Sequence, residues 1–356
     1  MATTANEARK RTGQLKHEKE TTENEEEKFL VSYQKQYYNI RNFLRYHPGG
    51  KKVFDYFKNQ SLDNAFNNNP HSKGAFHLFE DFKLNNDDKY REYENFIDWN
   101  SPILCQVGTL GDRYWEWVNL PVNQQIRLFK SDYLEILSIT PWYLIPIVWI
   151  PICIFLLYLG WTGIADSHSG NILLEALISY VFGILLWSAL EYVLHRKLFH
   201  FKPPATSKVL ISLHFILHGI HHKAPFDDRR LVFPPVLGLL ITKLILYLYH
   251  TVFPPQMVYF ISAGTATGYL CYDLIHYYLH HGAPKVGSYF YLLKRNHNYH
   301  HFLHHELGNI LSIFEMLDKF IFICNFSPGF GISSKLWDYA FGTTICLRKL
   351  KKPIEW

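Results

Sequence analysis

Residues 214–222 read HFILHGIHH, with LEYVLHRKLFH at 190–200 before them, and CYDLIHYYLHH at 271–281 and RNHNYHHFLHH at 295–305 after them. The chain holds 20 histidines in 356 residues, and most of them fall in these four strings. Spacings of three and four recur, and on a helix such positions share a face. His218, His221 and His222, then His276 and His280, then His297, His300 and His301 each aim two or three imidazoles at one place. Imidazole without thiolate suits zinc, copper or iron, and about ten nitrogen donors exceed what one ion accepts, so two ions are indicated.

Four apolar stretches accompany these strings: Trp142–Trp161, Leu173–Leu194, Val236–Tyr249 and Met257–Ile275. A membrane span needs about 20 apolar residues, and the first two have that length. The third is shorter and carries Lys243, and Pro254-Pro255 separates it from the fourth as in a helical hairpin. Four crossings put both ends of the chain on one side, which the basic loops and the lack of a cleaved signal place in the cytosol. A site with apolar walls at a membrane surface selects a lipid. Lys223, Arg229 and Arg230 stand after His222 as candidates for an acyl carboxylate or phosphate, ordinary interfacial charge being the alternative.

Residues 1–28 carry mostly Glu, Lys, Thr and Asn and read as a disordered segment, because they lack the apolar side chains that offset ordering. Residues 29–86 have the mixed pattern of a small folded domain, and 87–130 form a charged linker and cap segment. Within the small domain, residues 38–50 read YNIRNFLRYHPGG, and HSKGA follows at 71–75. His47 and His71 can clamp one flat ligand. A six-coordinate haem iron takes two axial ligands, and the Gly49-Gly50 turn lets the backbone approach a planar ring where a Cβ collides. HPGG followed by HSxxA resembles cytochrome b5 over roughly residues 29–86. The resemblance implies an α+β cytochrome b5-like haem domain with His47 and His71 as the axial ligands. His77 falls outside its pattern.

A net charge of +5 is modest and scattered, so nucleic acid is not an expected partner. Cys105, Cys153, Cys271, Cys324 and Cys346 are widely spaced and read as free thiols facing a reducing compartment.

Beyond the histidine strings, DWNSPILCQVGTLGDRYWEWV at 98–118, HGIHHKAPFDDRRLVFPP at 218–235 and GFGISSKLWDYAFGT at 329–343 resemble the fatty acid hydroxylase superfamily, and within it the fatty acid 2-hydroxylase family. The resemblance covers nearly all of residues 29–346. It implies that His195, His200, His218, His221, His222, His276, His280, His297, His300 and His301 are the dimetal ligands. It also implies, over residues 131–346, an all-α integral membrane domain with four transmembrane helices under a histidine-rich cytosolic cap, in the endoplasmic reticulum. The implied reaction inserts one atom of dioxygen at C2 of a long-chain fatty acyl substrate, with electrons passing from cytochrome b5 reductase through the haem. Because a fused haem domain delivers single electrons, iron is the expected metal of the active enzyme, and zinc is compatible with the isolated protein.

His214, His281, His304 and His305 remain either further ligands or residues that orient the ligands, while His168 and His250 read as ordinary histidines. Asp273, three residues before His276, is a candidate to hold a ligand's second nitrogen, helix-end solvation being the other account. Acyl desaturases fused to cytochrome b5 are the nearest rival. Their first and third boxes follow HDxxH and QxxHH, whereas this chain has HRKLFH and HNYHH. A histidine-lined metal transporter is a second rival, and it leaves the haem domain without a role. One departure from the family stands out: residues 306–327 intervene where the family passes directly to the GFGIS stretch. The insert reads as translated intron sequence, a membrane-lying helix or a lineage feature being the alternatives, and an inactive homologue follows if it spoils the site. Residues 347–356 form a C-terminal tail.

Overall fold

The computed structural model describes residues 28–69, 71–84, 93–165, 171–302, 329–345, 347 and 354–356. The segment read as disordered, except Lys28, and the insert at 306–327 lie outside these residues, as do His168, His304, His305, Cys324 and Cys346. The described chain divides into two units, one of 28–71, 79–84 and 354–356, the other of 72–78 and 93–347.

In the first unit, β1 (Leu30–Tyr33) pairs antiparallel with β2 (Gln36–Asn39) and parallel with β3 (Gln60–Ser61). The β1–β2 turn is two residues long, and Gln34 and Lys35 take the positive φ values of 47° and 64° that a tight hairpin turn requires. Val31, Tyr38 and Ile40 are buried, and Tyr38 stacks on Phe79 with ring centroids 4.0 Å apart. The helix α1 (Asp63–Asn68) follows β3, and α2 (Lys73–Glu80) follows α1, its residues 73–78 being assigned to the second unit.

The second unit is helical. Short helices α3 (Leu104–Val107), α4 (Tyr114–Val118) and α5 (Asp132–Leu137) precede the long pair α6 (Leu144–Ala165) and α7 (Ile172–Leu194). Then come α8 (Lys208–His214), α9 (Ile220–Lys223), α10 (Pro235–Val252), α11 (Pro255–His281), α12 (Tyr289–Phe302) and α13 (Leu336–Ala340). Local chemistry starts several of them: the Asn171 side chain accepts from Leu174 N–H (3.2 Å) at α7, and Ser207 accepts from Leu210 N–H (3.3 Å) at α8. Pro235 and Pro255 occupy first helical positions of α10 and α11, where the missing N–H costs nothing.

Among the described residues three helices are long and apolar enough to cross a membrane: Leu144–Gly163, Ile172–Phe199 and Pro235–Val252. The fourth apolar stretch lies in α11, a helix of 27 residues. Its Thr, Tyr, Gly and His content keeps it less apolar, and its position explains why: most of its first half is buried against α6 and α7, so it needs no lipid-facing coat.

Small residues set the α7–α11 crossing. A Cβ on Gly183 would lie 2.1 Å from Ile261 O, and one on Gly264 would lie 2.0 Å from Tyr180 O. Thr265 Oγ1 donates across the same crossing to Gly183 O at 3.3 Å. The backbones therefore touch, which positions the histidine-bearing ends of both helices. We expect Gly264→Val to separate the helices, a cost of about 2 kcal/mol or more, seen as a lower thermal midpoint of the detergent-solubilised protein. Gly163→Ala, with nothing within 4 Å of the added carbon, serves as control and should leave the midpoint unchanged or slightly raised.

Candidate functional site

Two turns of widened helix build the site. Residues His195–Phe199 and Phe215–Gly219 are π-helical, and His200 N–H donates to His195 O at 3.1 Å. The five-residue ring brings His195 and His200 together although their spacing is not that of an α-helix. His218 sits in the second widened turn, and α9 continues directly into His221 and His222.

The ends of α7, α11 and α12 then meet these turns. His221, His276, His280, His297 and His301 form one group, and His195, His200, His218 and His300 form another, the donor atoms of each lying within 4.8 Å of one another. His222 stands between the groups, its Nε2 3.0 Å from that of His218 and its ring 4.4 Å from that of His301. All ten sequence-predicted positions are thus brought together.

The nitrogens have the spacing of ligands. Nε2 separations are 3.2 Å for His195–His200, 3.1 Å for His200–His218, 3.1 Å for His221–His276 and 2.7 Å for His280–His297. Nitrogens bound to one ion at 2.0–2.1 Å lie about 2.8–3.4 Å apart. Both ring nitrogens of His300 and of His301 are buried without a hydrogen-bond partner, a state that a protein tolerates where an ion takes the lone pair. Burial, reinforced by mutual repulsion, drives His200, His218, His221, His297, His300 and His301 well below the ordinary imidazole range. The rings are therefore neutral at pH 7, the form that ligates. The donor set fits two ions.

Residues that the sequence reading passed over hold this set in place. His195 Nδ1 donates to Phe330 O at 2.7 Å, which leaves Nε2 for a metal. Asp338 accepts from Phe330 N–H (2.9 Å), Gly331 N–H (3.0 Å) and the Thr343 hydroxyl (2.7 Å). Glu191, inside the apolar α7, accepts from Ile332 N–H and Ser333 N–H, both at 2.9 Å. Its signal in the sequence was a carboxylate one turn before His195 in an otherwise apolar run. Both flanks of the insert, His301 before it and Phe330 after it, reach the site.

Other candidates go elsewhere. His214 lies outside both groups and is hydrogen-bonded through Nδ1 to the Tyr114 hydroxyl; His281 packs on Tyr277 at 4.8 Å. His250 packs edge-on to Tyr259. Asp273 accepts from the Tyr269 hydroxyl (2.7 Å) and Phe233 N–H (3.2 Å), so it ties α11 to the loop before α10. Cys105, Cys153 and Cys271 are free thiols.

The proposed anionic-group binders are corrected as well. Lys223 is fully buried and donates to Glu94 Oε1 (2.8 Å), Leu120 O (2.7 Å) and Trp117 O (3.2 Å). Arg230 is paired with Glu135 and donates to Ser138 Oγ at 2.7 Å. Of the three cations only Arg229 is exposed. Lys223 instead joins the segment after His222 to residue 94, whose other partner is His77 Nε2 at 2.7 Å.

In the first unit the His47 and His71 rings face each other with centroids 6.1 Å apart. Two imidazoles bound at about 2 Å to a metal between them need about this separation. His71 Nδ1 donates to Asn69 O at 2.6 Å, leaving Nε2 its lone pair. Phe43, Phe54 and Phe66 pack around the pair. Burial lowers His47 to about 4 and lowers His71 too. The pair fits an axially ligated haem. The two glycines also avoid collisions within the protein: a Cβ on Gly49 would lie 2.8 Å from His47 Cε1, and one on Gly50, at φ 80°, would lie 2.3 Å from Glu355 O.

A family model for fatty acid hydroxylase matches residues 180–343, and one for the cytochrome b5-like heme/steroid binding domain matches residues 16–96. The fatty acid 2-hydroxylase of Homo sapiens is 36% identical over 352 residues, covering 86% of this chain and 88% of the relative. The chain belongs to the fatty acid 2-hydroxylase family. A dihydroceramide fatty acyl 2-hydroxylase of Arabidopsis thaliana is 37% identical over 250 residues, or 69% of this chain and 92% of the relative. The hydroxylase domain of scs7p, the part visible in its solved structure, superimposes with a TM-score of 0.58 at 30% identity, over 74% of this chain and 90% of that one. The stretch shared with the hydroxylase family contains all ten histidines and the segment carrying Phe330 and Asp338.

The Lys223 pair makes a prediction. Lys223→Met leaves the Glu94 carboxylate buried without its cation, a loss of about 3–5 kcal/mol and a fall in thermal midpoint on the order of 10 °C. Adding Glu94→Gln should recover most of it, and a fully stable Lys223→Met protein would contradict the pairing. Burial raises the Glu94 carboxyl, but Lys223 and His77 outweigh it and hold it below its ordinary range. The contribution of Glu94 is therefore present above the unfolded carboxylate value and is lost as pH falls through the folded one.

Proposed function

We propose that this chain is a membrane-bound fatty acid 2-hydroxylase that inserts one oxygen atom of dioxygen at C2 of a long-chain fatty acyl substrate for 2-hydroxy sphingolipid synthesis. The second oxygen atom leaves as water, with two electrons and two protons consumed per turnover. The observation that carries the proposal is the pair of buried histidine groups in a chain whose other unit holds the facing His47 and His71. The names of its fatty acid and ceramide hydroxylase relatives support the same substrate class.

His195, His200, His218, His221, His222, His276, His280, His297, His300 and His301 would hold two metal ions, iron in the active enzyme, which supply the activation of dioxygen. His47 and His71 would hold a haem, which would supply single electrons drawn from cytochrome b5 reductase. The protein's own part is positioning. The Phe330 carbonyl keeps a proton on His195 Nδ1 and fixes that ring, while Glu191 and Asp338 fix the Phe330 segment. Trp187, Tyr269 and Tyr272 cluster along α7 and α11 before His276 and give an acyl chain an apolar wall.

Four helices, α6, α7, α10 and α11, would then cross the endoplasmic reticulum membrane, since 27 residues of α11 span about 40 Å. The histidine-bearing ends and the haem unit then face the cytosol.

Lipid mass spectrometry of cells expressing the chain tests the proposal. Expression should raise 2-hydroxy fatty acids, and His221→Ala with His222→Ala should return them to background. A form lacking residues 306–327 separates damage by the insert from failure of the assignment. If neither form makes 2-hydroxy product while metals and haem are bound, the assigned reaction is wrong.

A further inference from the structure

Residues 354–356 belong to the first unit, and they rest on the turn that carries His47. Lys51 N–H donates to Glu355 O at 3.1 Å. The Glu355 carboxylate pairs with Lys52, both side chains being largely exposed. Gly50 is so close to the Glu355 main chain that a Cβ there would lie within 3.0 Å of its O, C and N atoms. Gly50 N–H in turn donates to His47 O at 2.8 Å, so the strand of contacts runs from Glu355 through Gly50 to the His47 backbone. These residues lie far along the chain from the turn, and neither family match includes them.

We propose that residues 354–356 are an intramolecular strap that holds the Gly50 turn, and through it His47, in the orientation needed to keep a haem. The proposal rests on the reading of His47 and His71 as a haem pair. Glu355 is a positioning residue here, acting through main-chain contacts rather than touching the group. Its exposed pair with Lys52 adds little, because such pairs are screened by solvent. The main-chain hydrogen bond and the close packing at Gly50 do the holding, and the left-handed φ of Gly50 is what lets the two backbones approach.

The test compares the purified full-length protein, a form ending at Pro353, and Glu355→Gln, all loaded with haem. Haem loss to excess apomyoglobin is followed in the Soret band, and hydrogen exchange of the peptide containing Lys51 is measured in parallel. The shortened form should lose haem roughly five-fold faster, the factor that one main-chain hydrogen bond is worth, and the Lys51 amide should exchange faster. Glu355→Gln should match the full-length protein in both. Equal haem loss and equal exchange in the shortened and full-length forms would overturn the strap. Absence of a bis-histidine spectrum in the full-length protein would instead overturn the haem reading, while the exchange measurement would still report on the contact.

Discussion

Imidazoles crowded into one buried volume cannot satisfy one another, and the second unit is organised by this constraint. Each ring brings two nitrogens, and a buried nitrogen without a partner costs about 1–3 kcal/mol. His300 and His301 leave both nitrogens in that state, in a cluster where Nε2 atoms already stand about as close as they can. Two cations bound as proposed would take up one nitrogen of each ring and would cross-link the ends of α7, α9, α11 and α12. Metal affinity and folding would then be linked, and the glycine crossing of α7 on α11, the Glu191 anchor and the Asp338 anchor hold the imidazole nitrogens at their close spacing.

Much of this was legible in the sequence for physical reasons that can be named. Histidines at spacings of three and four need only an ordinary helix to converge, so the grouping of His276 with His280 and of His297 with His301 followed directly. His195 and His200 are five apart, and only a π-helical turn joins them; no composition rule announces such a turn. The anchors escaped for another reason. Glu191 holds backbone N–H groups, and the Phe330 carbonyl holds the His195 ring, more than a hundred residues away in the chain, and those pairings exist only in the fold. Lys223 misled because a lysine beside a histidine box reads as an anion binder, while its depth and its bonds to Glu94 and two carbonyls make it a brace.

The haem pair shows the same division between motif and context. HPGG and HSxxA placed His47 and His71 opposite each other, as their facing rings require. The fold adds what the motif does not show: the glycines also avoid collisions with the His47 ring and with the main chain of Glu355. Of the four apolar stretches, three are helices apolar enough to cross a membrane, and the fourth lies in α11 with less apolar character because neighbouring helices cover it. Hydropathy measures contact with lipid, and a central helix has little of that.

Metal-edge X-ray absorption on the purified protein, with metal content measured on the same sample, tests the central claim most directly. The account predicts two ions per chain, beyond any haem iron, with a first shell dominated by imidazole nitrogen at about 2.0–2.1 Å and the outer-shell scattering of histidine rings. One ion or none in a fully folded protein, or a shell dominated by sulfur or by water oxygen, would contradict it.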